Sequence, residues 1–423
     1  MTIDEATRRF VGDHREEDVR RLALQGARFA GVDMPFALDQ IRGWQAARTK
    51  LPSWAAVDSI VYPPHLPMEQ CSSEPTARYK SALAMRLLKA RERFVDLTGG
   101  FGVDFSFVAP LFKESVYVEQ QPHLCELAEA NFSALGMENF SVKNADSIAF
   151  LRSMSRVSLI LVDPARRDDH GSKVFTIADC RPNVAALADE LVEKADYVLL
   201  KLSPMLDWHQ AVATLKHVRE VHIVSVSNEC KELLLVLSAA DSGALRVCCV
   251  NDDDVFEFSE SADSGASVAE NRGFIGRSDR QNGAESVAVE PRSEPVLAEL
   301  LREGGYLYEP NASVMKAGCF DLLARRYGVE ALSSNSHLFV SSGFIDRFPG
   351  RRFRIQSVSS FNKREIRAAL QGISRANIAV RNFPLSVDGL RKRLKLKEGG
   401  DVYLFATTLF TANHILIITK KLS

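Results

Sequence analysis

A doubly wound, mostly parallel α/β sheet is the core this sequence predicts, flanked by a small helical N-terminal domain and an α+β C-terminal domain. Three observations carry that expectation. Short, uniformly apolar runs (RFVDLTG, SVYVEQ, FSVKNAD, VSLILVDP, ADYVLLKLS, EVHIVSVS and ELLLVLS) succeed one another from Arg93 to Ser238, and such runs are strands covered on both faces. Helical stretches such as HLCELAEANFSALG, closed by Gly136, and NVAALADELVEKA stand between them, as the crossovers of a parallel sheet require. From Phe344 to Ser423, sixteen Lys and Arg face five Asp and Glu, so +11 there balances −12 elsewhere in a chain of net charge −1.

In chain order, residues 1–67 alternate short helical patterns, DVRRLALQGARF and ALDQIRGWQAART, and close in the turn cluster VYPPHLP. Residues 68–250 hold the α/β pattern. Residues 251–294 are rich in Asp, Glu, Ser, Gly and Ala with little periodicity, and read as a loop or linker that follows a hairpin of LRVCCV and VFEFSE. Residues 295–423 form the basic domain: ASVMKAGCFDLLARRYG, KREIRAALQGI and DGLRKRLKL as helices; RFRIQSVSSF, NIAVRNF, VYLFATTLF and HILIITKK as strands.

Composition narrows the function. At 423 residues, 46% hydrophobic and 25% charged, the chain is neither disordered nor collagen-like. No run approaches the ~18 apolar residues of a membrane span, and MTIDEATRRFVGDH lacks the apolar centre of a signal peptide, so a cytoplasmic protein is expected. Seven cysteines without a CxxC pair favour buried thiols over a disulfide framework, and the histidines show no metal-binding spacing, so no metal is expected. The basic C-terminal part implies contact with a polyanion; the alternative is a solvated basic face.

The segment Asp96-Leu97-Thr98-Gly99-Gly100-Phe101-Gly102-Val103-Asp104 follows the first strand and opens a helix. Its glycines let the backbone turn sharply and approach a ligand closely. A dinucleotide fingerprint needs a third glycine three places after Gly102, where Phe105 stands, so NAD and FAD are disfavoured. The acidic residues favour a nucleoside without a pyrophosphate. Asp96 ends the first strand, where it suits a cationic amino group. Glu119 ends the second, where it suits two ribose hydroxyls, and Asp146 ends the third, where it suits an exocyclic adenine amine.

In this order and spacing, DLTGGFGVD, VYVEQ, NAD and LVDPARR resemble the S-adenosylmethionine site of class I methyltransferases, whose sheet is Rossmann-like. EQCSSEPTARYKSAL and the Asp-Pro motif make the match most similar to the RNA cap guanine-N2 methyltransferase group and its bacterial relatives, over about Met68 to Ser238. The resemblance implies cofactor contacts from Asp96, Thr98, Gly99, Gly100, Gly102, Asp104, Glu119, Gln120, Asp146 and Asp163. It implies a transfer site at Asp163, Pro164 and Arg166. The departure from the amino-directed pattern is plain, because Ala165 replaces a second proline and Arg166 the stacking aromatic. Arg166 offers a guanidinium plane to a base or a charge to phosphate; the alternative is a loop charge paired with Asp168 or Asp169.

Substrate contacts are expected from Ser73, Glu74 and Lys80, on a segment that in this group reaches over the cofactor, although helix capping alone explains its composition. Lys201, after the fifth strand, is a further candidate. YLYEPNASVMKAG, FPGRRF, RANIAVRNFP and LRKRLKLKEGGDVYLFAT resemble the THUMP-like domain that accompanies such enzymes in bacteria, which implies RNA handling, with Arg391 and Arg393 as contacts. The expected function is S-adenosylmethionine-dependent methylation of a base nitrogen in RNA, tRNA or rRNA. The rivals are methylation of a protein or small molecule, and a non-catalytic RNA-binding protein that keeps the fold.

Overall fold

The computed structural model describes residues 4–25, 29–165, 177, 180–240, 243–260, 297 and 299–422. The chain divides into two compact units, one of Met1–Val226, Lys231–Cys248 and Phe258–Ala262, the other of Ser227–Cys230, Cys249–Glu257 and Asp263–Ser423.

The first sheet has nine strands: β1 Arg93–Asp96, β2 Glu114–Glu119, β3 Phe140–Asn144, β4 Val157–Val162, β5 Ala195–Leu202, β6 Val218–Val226, β7 Glu229–Leu237, β8 Leu245–Asn251 and β9 Asp254–Glu260. Their order is β3-β2-β1-β4-β5-β7-β6-β8-β9. β1 to β5 pair in parallel, and β7 runs antiparallel to β5. β4 is buried at every residue, as a strand covered on both faces must be. β1 has β2 on one side and β4 on the other, so the winding reverses there and opens a crevice beyond the strands' C-terminal ends.

The N-terminal segment packs against the glycine turn. Leu51, Trp54, Ile60 and Tyr62 share an apolar cluster with Phe101 and Val103 of the glycine turn and its helix. Trp54 meets Phe101 edge-on at 4.9 Å between ring centroids. The hairpin expected from LRVCCV and VFEFSE is present as β8 and β9; residues 261–296, most of the expected linker, lie outside the described residues.

The second sheet has seven strands: β10 Tyr306–Pro310, β11 Glu330–Ala331, β12 Phe339–Ser341, β13 Gly350–Ser360, β14 Asn377–Arg381, β15 Val402–Thr408 and β16 His414–Lys421. They are ordered β11-β12-β10-β13-β16-β15-β14. Phe353, Ile355, Phe405 and Ile417 fill one core cluster. Leu404, Leu416 and Ile418 face a second, built with Leu390 and Ile366 of the helices Val387–Leu394 and Lys363–Ala369. The single helix expected over ASVMKAGCFDLLARRYG is two, Ala312–Ala317 and Phe320–Tyr327. Gly318 adopts φ +71° and ends the first in the left-handed conformation that glycine tolerates.

Candidate active site

The carboxylates converge at the tips of β1, β2 and β4. Asp96, the last residue of β1, is 3% exposed, and its Oδ1 accepts from the Thr98 N–H at 3.0 Å. Burial pushes its carboxyl up to about 8, and the neighbouring Asp104 and Asp163 add to the rise. Glu119, buried at the end of β2, accepts from the Gly100 N–H at 3.0 Å through Oε2 and from the Gln121 N–H at 2.9 Å through Oε1. Each of its oxygens keeps a further lone pair.

The glycine turn is held from beneath by Tyr117, whose hydroxyl donates to the Gly100 carbonyl. A Cβ on Gly99 would lie 2.1 Å from the Tyr117 ring, so no other residue fits there. Gly100, at φ +56°, borders open space, the nearest atom to an added Cβ being the Thr98 carbonyl oxygen at 3.9 Å. Asp146 is exposed just beyond β3. Its Oδ1 caps the helix Ser147–Ser153 by accepting from the Ala149 N–H at 2.9 Å, while the Ala145 N–H bonds the Glu119 carbonyl at 3.1 Å and ties the two strand ends together. Gln120 is exposed beside them.

At the tip of β4, the Asp163 N–H donates to Thr98 Oγ1 at 2.6 Å, which links the transfer motif to the glycine turn. Lys201, at the end of β5, donates to Asp163 Oδ2 at 2.5 Å and lies 3.7 Å from Asp104. Burial alone would lower the Lys201 ammonium, but Asp163, Asp104 and Glu232 outweigh it and hold the group well above the usual lysine value. Lys201 is therefore a fixed cation, not a base. Among the described residues Asp163 Oδ1 is left open, and Pro164 is buried next to it. Arg166, the remaining member of the expected transfer site, lies outside the described residues.

Behind this edge runs a buried ionic chain. Lys80, 0% exposed, contacts Glu232 at 2.7 Å, Asp104 at 3.0 Å and Ser72 Oγ at 3.2 Å, while Ser72 donates to Asp104 at 2.7 Å. Against the cost of burial, Lys80 and Lys201 hold the Asp104 carboxyl below the usual aspartate range; burial leaves Glu232 above its own. With its ammonium spent inside the protein, Lys80 supports Asp104 and Lys201 and offers no group to a substrate. Glu74 is likewise occupied, accepting from the Ser53 N–H at 2.8 Å and from Arg78 Nε at 2.9 Å. Ser73 takes the N-cap position of the helix Glu74–Leu87 without a side-chain cap bond, its Oγ instead 3.3 Å from Thr76 Oγ1.

Arg391 and Arg393 belong to the second unit, where Arg391 donates to the Ala376 carbonyl at 3.3 Å and Arg393 lies over the Phe361 ring at 4.4 Å. Tyr117, Ser72 and Glu232 were not anticipated. Only Glu232 had a signal, a lone acid opening the apolar run ELLLVLS. Among the described residues no cluster of His, Cys, Asp and Glu is placed to hold a metal ion, and no helix is long and apolar enough to cross a membrane.

Comparison with known proteins places both units. Residues 350–421 match the THUMP domain-like family, and residues 306–349 a ferredoxin-like domain. A candidate methyltransferase from Porphyromonas gingivalis W83 superposes with a TM-score of 0.79 at 29% identity over 100% of both chains. An rRNA methylase from Streptococcus thermophilus, 14% identical, covers 38% of this chain and 95% of its own at a TM-score of 0.30. A candidate O-methyltransferase from Klebsiella pneumoniae, 10% identical, covers 40% of this chain and 83% of its own at 0.32. At such scores neither of these two bears on function. No curated protein matches the chain. With strand order, glycine turn and a full-length structural match in agreement, the chain has the fold of the Porphyromonas gingivalis candidate methyltransferase, with a THUMP-like domain at its C-terminal end.

Proposed function

We propose that this protein transfers a methyl group from S-adenosylmethionine to an amine nitrogen of an RNA base. The observation that carries the reading is that all three acids are tied to one glycine turn: Asp96 and Asp163 bond Thr98, and Glu119 bonds the Gly100 N–H. The donor set fits the cofactor's chemistry. Asp96 would hold the ammonium, Glu119 the ribose hydroxyls, and Asp146 the adenine amine through the oxygen its helix cap does not use. When bound, S-adenosylmethionine supplies an electrophilic methyl group.

The chain's own residues do the remaining work. Lys201 pins Asp163 Oδ2, which leaves Oδ1 to accept a hydrogen bond from the target amine, orient its lone pair and take the proton that the nitrogen sheds after transfer. The Pro164 carbonyl is a second acceptor for the same amine. RNA as substrate rests on the match to the THUMP domain-like family and on the +11 balance from Phe344 onward.

Calorimetry with S-adenosylmethionine tests the cofactor half. Asp96→Ala and Glu119→Ala are each expected to weaken binding about tenfold or more, since a hydrogen bond to a charged group contributes about 1.5–3 kcal/mol. Undetectable binding by the intact protein sinks the reading. Proton linkage gives an independent readout. With the Asp96 carboxyl at about 8, the free protein holds a proton there at lower pH, and an ammonium partner expels it. Affinity is therefore expected to rise with pH, by up to about tenfold per unit, to a maximum at about pH 8, where the ligand's own ammonium begins to lose its proton. Asp96→Asn should flatten the profile; an unchanged profile in that variant assigns the titration elsewhere.

A further inference from the structure

The outer face of the second sheet carries a strip of cations and aromatic rings that neither core cluster uses. Directly opposed residues of a sheet share a face, and the register sets Tyr306 of β10 opposite Arg354 of β13, and Arg354 opposite Lys420 of β16. Arg352 stands two residues from Arg354 and so on the same side. Arg354 and Lys420 are exposed, and neither pairs with an acid among the described residues. Farther along this face, over β14 to β16, the helices Lys363–Ala369 and Val387–Leu394 pack on Leu404 and Ile418, leaving the strip itself uncovered.

At its edge stands Phe344, 46% exposed, with its ring centroid 5.5 Å from that of Tyr306 and the Arg352 guanidinium 5.9 Å away. An exposed phenylalanine on a loop normally wanders, but this one is braced. The buried Tyr308 hydroxyl donates to the Gly343 carbonyl at 3.1 Å and accepts from the Ile345 N–H at 2.9 Å, so both neighbours of Phe344 are tied to one side chain. The ordering that a stacking contact requires is built in before any ligand arrives.

Resting on the RNA reading above, we propose that this face binds a single-stranded segment of the RNA substrate, with an unpaired base stacked on Phe344, whose ring Tyr306 buttresses, and the backbone phosphates on Arg354 and Lys420. Flat aromatic surface serves unpaired bases, because a duplex hides its base faces within its own stack. Unpaired cations on the same face supply the sequence-independent phosphate attraction.

The test is fluorescence anisotropy of the full chain with a short labelled oligouridylate and with an RNA duplex of equal length, over a salt series. Phe344→Leu is expected to weaken oligouridylate binding about tenfold while leaving the salt slope and duplex binding unchanged, and Phe344→Trp to restore affinity. Arg354→Gln combined with Lys420→Gln should reduce the magnitude of the slope by about 1.4, about 0.7 for each phosphate no longer neutralised. All these side chains are partly or wholly exposed, so melting temperatures should not move. Unchanged oligouridylate binding by Phe344→Leu, an equal loss for duplex and single strand, or an unchanged slope in the double variant overturns the proposal while the RNA reading stands. If the parent protein binds neither RNA, both fall together.

Discussion

Asp163→Ala is expected to lower the rate constant for methyl transfer to total RNA about a hundredfold or more, while S-adenosylmethionine binds within about twofold of the parent, the scale of a positioned proton acceptor. Asp163 sits where this split can arise. Its N–H is anchored to Thr98 and one carboxylate oxygen to Lys201, so only Oδ1 faces an incoming amine. Asp163→Asn keeps an acceptor oxygen without the charge and should fall between the parent and Asp163→Ala. Lys201→Met removes the clamp and should lower the rate about tenfold through a looser Asp163. Single-turnover transfer of labelled methyl decides the matter: full activity in Asp163→Ala removes this residue from the chemistry, and a parallel loss of cofactor affinity makes it a binding residue only.

Lys80→Met carries the largest expected cost in stability, about 3–5 kcal/mol, the range for breaking a buried ion pair from one side. Lys80 is 0% exposed and lies between Glu232 at 2.7 Å and Asp104 at 3.0 Å. Removing its charge strands Glu232 in the interior, where burial already raises it, and leaves Asp104 with Lys201 and Ser72 alone. A fall in melting temperature of about 10 °C should be seen by calorimetry. Lys80→Met with Glu232→Leu deletes the charge and one orphaned partner together and should recover part of the loss. A Lys80→Met protein that melts with the parent would show that the buried chain contributes nothing net.

The α/β core was legible because its signals are local. Uniformly apolar runs separated by helical crossovers can form little else, and DLTGG, VYVEQ, NAD and VDP each name a strand end by where apolar residues stop and a carboxylate begins. The second sheet was read less completely. β11 and β12 span two and three residues, too few for a period to register, and Gly318 broke a helix that apolar spacing alone would have continued.

Residue order along one chain thus determined the strands of the first sheet's parallel core and which acidic groups crown them, because hydrophobic periodicity and turn chemistry act over neighbouring positions. Tertiary structure alone decided what those groups do to one another. Lys80 meets Glu232 across 152 positions, and Lys201 meets Asp163 across 38. Tyr117 fills the space that forbids a side chain at Gly99. Strand register and burial set these encounters, and electrostatic strength depends on distance and on exclusion of water, neither of which a linear pattern encodes.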